Sequence, residues 1–315
     1  MKYIQDFKEG DRVAGVYLCK HKTSAVTKNG KPYENVVLQD KTGSIDAKIW
    51  DVGSQGIDEF EALDYIDIMG DVSSFMNQLQ VSIKRVRVAS EGEYIPSDYL
   101  PVSSKNVDEM FNEILGMVNA TENRYLKALL EEFFVKDEKF VKAFKYSSAA
   151  KSVHHCFVGG LLEHTLSVAK NCKFFAMQYP YLKKDLLIAA ALLHDCAKVV
   201  EFSPFPENDY TDEGNLLGHI VMGSEMIGQK VALIDGFPKT LENELKHCIL
   251  SHHGKLEYGS PKKPMLMEAV ALNFADDIDA KMETFKEILD STTETGWLGY
   301  NKLFETNLRS TKATE

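Results

Sequence analysis

Residues 186–201 read LLIAAALLHDCAKVVE: an unbroken apolar run, then His194 and Asp195, then Lys198. Such density between turn signals predicts a buried helix over 184–200. A histidine and an aspartate inside that helix conflict with their surroundings. Left unpaired there, an ionisable group would cost several kcal/mol, so the pair needs hydrogen-bond partners or a bound cation. Lys198, four residues after His194 and three after Asp195, would share their helix face and could reach a phosphoryl oxygen.

The same conflict recurs in four more apolar stretches. His164 lies in GGLLEHTLSVA, His219 in GNLLGHIVMG, His252 and His253 in HCILSHHGK, and Asp276, Asp277 and Asp279 in LNFADDIDAKM. Each alone has an ordinary reading. His-Asp dipeptides are common, a lone His219 reads as a satisfied core histidine, and His252-His253 before Gly254 suits a helix C-terminus and its dipole. Five helices each carrying imidazole or carboxylate among Leu, Ile and Ala read instead as one centre between facing helices. His164, His194, Asp195 and Asp276 form one ligand set for a divalent ion. His219, His252 and His253, with Asp195 as a bridge, form a second. Neutral imidazole with carboxylate suits Mn, Co, Fe or Zn, and the lack of cysteine argues against a closed structural zinc site. Of the nine histidines, His154 and His155 read either as substrate contacts or as a helix cap, and His21 and His247 as surface or packing residues.

Helical spacing runs from Val107 through 161–178, 184–200, 216–233, 239–253 and 264–290, with Gly254 as a stop and Pro264 before a start. The first 90 residues have another texture. Segments 12–20, 33–39, 44–50, 65–71 and 78–88 are short, rich in Val, Ile and Tyr, and separated by turn signals at Asn29-Gly30, 40–43 and Asn77. Five such strands are the number of an OB-type barrel. The expected architecture is therefore a multi-domain chain, a β barrel (OB-fold) followed by an all-α helical bundle. The expected boundaries are 1–90 for the barrel, 91–106 for a Pro-containing linker, 107–295 for the bundle, and 296–315 for a weakly specified tail.

Composition narrows the partners. Lys and Arg total 36 against 47 Asp and Glu, a net charge of −11, so a nucleic-acid partner must be met by a local groove or by metal ions and not by a basic coat. Hydrophobic residues at 44% and charged residues at 26% fit a globular protein. No run approaches the ~18 apolar residues of a membrane span, so no membrane partner is expected. The opening MKYIQDFKEGDR does not read as a signal peptide. Five scattered cysteines without a CxxC pair read as reduced thiols of a cytoplasmic protein.

The order H…HD…H…HH…D, with Lys198 in HDCAK, resembles the HD superfamily of metal-dependent phosphohydrolases. More widely, NGKPYENVVLQDKTGSIDAKIWD, HHCFVGGLLEHT, YTDEGNLLGHI, SHHGKLEYGSPKKPM and the DAK of DDIDAKM are similar to the YhaM family of 3′→5′ exoribonucleases, over about residues 5–290. The resemblance implies an OB domain that handles single-stranded nucleic acid and an HD domain that cleaves it, with two ions, Mn²⁺ or Co²⁺ ahead of Fe or Zn. It implies Asp276, by register, as the aspartate ligand over Asp277, and Asp279 in support of the site. Asp195 would bridge ions that activate the attacking water, and Lys198 would stabilise developing negative charge. On the barrel, Tyr17, Tyr33, Trp50 and Phe75 are candidate stacking platforms and Lys48, Lys84, Arg85 and Arg87 a candidate basic track, with half or more of the aromatics expected in the core. Lys262 and Lys263 in GSPKKP would form a substrate-contact loop. RNA or DNA preference and a homo-oligomeric state stay open. Two rival readings are hydrolysis of a small nucleotide or cyclic dinucleotide, and single-strand binding with a structural metal site.

Overall fold

The computed structural model describes residues 2–311 except 28, 77, 101, 152–154, 291, 293 and 294. The expected turn at Asn77 and the role left open for His154 lie outside the described residues. The chain divides into two compact units, Met1–Ser104 with Ser203–Asp209, and Lys105–Phe202 with Tyr210–Glu315.

In the first unit, alternation of buried and exposed residues produces five strands: β1 (Arg12–Val26), β2 (Pro32–Asp40), β3 (Gly43–Ile49), β4 (Tyr65–Phe75) and β5 (Gln78–Val88). They close in the order β1-β2-β3-β5-β4. Closure depends on the length of β1, whose first half pairs with β4 and whose second half pairs with β2 across a bulge near Cys19. A short parallel pairing of Asp46–Lys48 with Gln80–Ser82 completes the ring. The interior is filled by Val36, Leu38, Ala47, Ile49, Ile66, Ile68 and Val81. Tyr17, proposed as a platform, is fully buried instead, and its hydroxyl donates to the Lys2 carbonyl at 2.6 Å.

The prolines at 96 and 101 suggested a linker, yet Tyr94 stacks on Tyr65 of the barrel with centroids 3.8 Å apart, and Tyr99 and Leu100 are buried. Aromatic burial here outweighs the loop signal carried by proline.

The second unit is helical: α1 (Val107–Asn119), α2 (Arg124–Phe134), α3 (Glu138–Tyr146), α4 (Gly160–Gln178), α5 (Lys184–Leu193), α6 (Lys198–Glu201), α7 (Asp212–Val231), α8 (Lys239–Ser251) and α9 (Met267–Asp290). Asn106 and Asn123 each cap a helix by accepting two backbone N–H bonds, and Asp137 and Thr211 cap two more. The middle helix, α5, is buried along Leu186–Leu193, which explains why it is apolar on every side. Within the weakly specified tail, a hairpin forms from β6 (Trp297–Asn301) and β7 (Thr306–Arg309). Leu308 is buried, and Phe304 meets Phe285 of α9 at 5.4 Å. Among the described residues no helix is long and apolar enough to cross a membrane.

Candidate metal centre

The helix predicted over 184–200 stops at Leu193. His194 and Asp195 occupy a tight turn held by Cys196 N–H on the Leu193 carbonyl (3.2 Å) and Lys198 N–H on the Asp195 carbonyl (3.0 Å). The break does not separate Lys198 from Asp195: its ammonium lies 2.7 Å from Asp195 Oδ2. A second interruption lies in α7, where Gly218 adopts φ 72° and ψ 154°. An L side chain rarely adopts that conformation. The kink makes His219 the start of the following helical segment, so its backbone N–H is free to donate to Glu201 Oε1 at 2.8 Å.

Five histidines are oriented by one rule. The Nδ1 of His194 donates to the Ala191 carbonyl (2.8 Å), that of His252 to the Ile249 carbonyl (2.7 Å) and that of His253 to the Tyr258 carbonyl (2.8 Å). The Nδ1 of His219 is matched to Glu201 Oε1 at 2.9 Å, and that of His164 to Asp279 Oδ2 at 2.7 Å. With Nδ1 donating, each ring presents Nε2 as a lone pair, as metal-binding histidines do.

Four of those Nε2 atoms gather around Asp195. Its Oδ2 lies 3.5 Å from His164 Nε2 and 3.3 Å from His194 Nε2. Its Oδ1 lies 3.3 Å from His219 Nε2 and 3.6 Å from His252 Nε2. The two oxygens of one carboxylate thus face two groups of imidazoles. Asp276 Oδ1 joins the first, 3.2 Å from His164 Nε2, while Asp277 is half exposed and pairs with Lys281. Donor atoms of His164, His194 and Asp276 lie within 4.8 Å of one another, as do those of His219, His252 and His253. A third group, His155, His164 and Asp279, is joined by hydrogen bonds: Asp279 takes His155 Nε2 at 3.1 Å as well as His164, and also the Ser167 hydroxyl.

Several atoms in the centre are placed to receive a cation. Asp195 Oδ1, His219 Nε2 and His252 Nε2 are buried without a hydrogen-bond partner. His164 Nε2 and His194 Nε2 face each other at 3.2 Å, and with both Nδ1 atoms donating, two lone pairs would meet there. Electrostatics agrees. Burial lowers the His219 and His252 pKa, and burial with the neighbouring His252 takes His253 down to about 4, so these rings are held neutral. Burial alone would raise Asp195, but Lys198, His194 and His164 outweigh it and hold the carboxyl well below its usual range. Burial also disfavours charge on His164, yet Asp195, Asp276 and Asp279 overcome it and raise that pKa, so without an ion this ring holds a proton that a bound cation would displace. Neutral imidazoles beside charged carboxylates are the state that binds metal.

The centre also holds residues the sequence reading did not single out. Glu201 orients His219 through two contacts, Ser167 holds Asp279, and His155, whose role was left open, is buried on Asp279. Glu201 carried a signal, since it is a lone carboxylate closing the apolar AKVVE.

The other candidates lie outside this cluster. Lys262 and Lys263 are exposed in the loop before α9. On the barrel, Tyr33 and Trp50 stack with centroids 5.1 Å apart. Lys48 lies over both rings, 5.0 Å from Tyr33 and 5.5 Å from Trp50, and bonds Asn35 Oδ1 at 2.6 Å. Trp50 and Phe75 are exposed, so of the four aromatics only Tyr17 belongs to the core, fewer than expected. Lys84 is held by Asp71, and Arg87 by Asp67 and Glu93, which weakens the expected basic track, whereas Arg85 is exposed beside Gly56.

The HD domain family matches residues 161–281, the segment that carries Asp195 and the six residues grouped with it. The 3′-5′ exoribonuclease YhaM of Geobacillus sp. (strain WCH70) is 36% identical over 292 residues, 92% of this chain and 88% of that protein. Among solved structures, the second OB-fold domain of replication protein A from Methanococcus maripaludis is 20% identical, with 29% of this chain and 96% of that one covered and a TM-score of 0.22. The SSB domain of a Synechococcus sp. protein is 13% identical, with 26% and 97% covered and a TM-score of 0.21. Identity at this level along nearly the whole chain, with the HD match over the metal centre, places the protein in the YhaM family of 3′-5′ exoribonucleases.

Proposed function

We propose that this protein is a metal-dependent 3′→5′ exoribonuclease that hydrolyses phosphodiester bonds of single-stranded RNA. The observation that carries the reading is the convergence of four Nε2 atoms, those of His164, His194, His219 and His252, on the two oxygens of Asp195, with every Nδ1 already engaged.

His164, His194 and Asp276 would hold one divalent transition ion and His219, His252 and His253 a second, with Asp195 shared. When bound, such ions supply Lewis acidity and water activated near neutral pH. The chain's own groups then divide the remaining work. Asp195, kept ionised, holds its two oxygens toward the two imidazole groups. Lys198, whose burial is offset by Asp195, keeps its proton and places an ammonium where a phosphoryl oxygen gains negative charge. Asp279 and Glu201 fix the tautomers of His164 and His219. Ions held there would supply positive charge that the net count of −11 lacks.

Trp50, Tyr33 and Lys48 form the surface we assign to RNA on the barrel, two aromatic faces with an ammonium across them, and Phe75 adds a further exposed ring. Cys19, Cys172, Cys196 and Cys248 are buried thiols, which suits a reducing compartment, and we assign the protein to the cytoplasm.

The test is a 5′-labelled single-stranded RNA incubated with the full chain and Mn²⁺. A ladder that shortens from the 3′ end, abolished by chelator, is the expected result. Intact RNA alongside turnover of a small nucleotide would overturn the reading in favour of a nucleotide phosphohydrolase.

A further inference from the structure

α9 reaches the metal centre at two residues already described, Asp276 and Asp279. A third, Asn273, stands one turn before Asp276 and acts on the other side of the centre. Its Nδ2 donates to the main-chain carbonyl of His252 at 2.7 Å. That carbonyl lies at the C-terminal end of α8, where the last turn leaves its carbonyls without helical partners. The residue after the two histidines is Gly254, with φ +76°. A Cβ there would stand 2.6 Å from Asn273 Nδ2 and 2.7 Å from its Oδ1, so the amide is seated directly on the glycine backbone. The SHHG turn and the Asn273 amide are therefore built around each other.

We infer that Asn273 is a positioning residue for the His219–His252–His253 half of the centre. It touches no donor atom of that half. It fixes the backbone from which His252 and His253 project, and the Tyr258 carbonyl then fixes the His253 ring. α9 thereby addresses both halves with one face at a spacing of three: Asn273 through the His252 main chain, Asp276 directly, and Asp279 through His164. This inference rests on the two-ion reading above and adds a residue to it.

The experiment measures bound metal in the full-length protein by elemental analysis and titration with Mn²⁺, comparing wild type with Asn273→Asp and Asn273→Ala. Asn273→Asp preserves shape and removes the donor; Asn273→Ala removes the side chain. Melting of the metal-free proteins reports folding separately. The expected result is that wild type binds two ions, while both variants keep one at wild-type affinity and bind the other about 10–100-fold more weakly. His219→Ala, made in parallel, should show the same one-ion profile. Two ions at wild-type affinity in both variants, with only a lower metal-free melting temperature, would assign Asn273 a purely structural role and overturn the inference. Equal weakening of both ions would overturn it as well. If wild type itself bound no metal, the proposed function would fail, and this inference with it.

Discussion

The metal centre and the outer face of the barrel use similar side chains in opposite ways. In the centre the imidazoles of His164, His194 and His252 are buried and those of His219 and His253 partly so, and each is tethered by a second contact, so its other nitrogen has one direction. On the barrel, Trp50 is 46% exposed and Phe75 60%. Chemistry at phosphorus depends on placement to a fraction of an ångström, whereas stacking on a nucleobase tolerates sliding and rotation. Substitutions in the two regions should therefore fail differently, one in turnover and the other in affinity.

The largest separation is expected for Asp195→Ala. Cleavage of labelled RNA should fall by at least about 10³-fold, since the residue serves both imidazole groups, while filter binding of single-stranded RNA is unchanged. Joint loss of cleavage, binding and folding would merge the two regions and favour a structural metal. Next, Glu201→Gln should weaken metal binding by about 10–100-fold through disorientation of His219, and excess Mn²⁺ should restore much of the activity. Trp50→Ala should reduce RNA affinity by about 1–3 kcal/mol and leave the rate at saturating RNA intact, which reads as a change in KM without one in kcat. The smallest effect is expected at Lys84. Its ammonium is already engaged by Asp71, so Lys84→Ala should leave RNA affinity unchanged within error, and a clear loss would put β5 back into the binding face.

The same contrast governs what could be read without coordinates. Barrel strands announced themselves by alternation, and all five lie within a few residues of their expected positions, because one buried face and one wet face leave a period of two. The gathering of these histidines and aspartates was legible for a related reason: ionisable residues embedded in apolar helices need partners. Where local signals competed, the outcome was not legible. AKVVE continues the helical pattern of α5, yet the chain turns at His194 and Asp195, because main-chain hydrogen bonds there aim both side chains at the centre. GNLLGH reads as continuous helix, and only the positive φ at Gly218 reveals the kink. Tyr94 and Tyr99 resembled linker residues because prolines flank them, and the C-terminal hairpin takes its anchor from Phe285, distant enough in sequence to leave no local trace.

The central claim is that two groups of imidazoles share Asp195 across a pair of transition ions. Anomalous diffraction from crystals grown with Mn²⁺ tests it most directly. Two peaks are expected, one on the Oδ2 side of Asp195 toward His164, His194 and Asp276, the other on the Oδ1 side toward His219, His252 and His253. Crystals with no peak beside Asp195, and with the imidazoles hydrogen-bonded to one another, would contradict it.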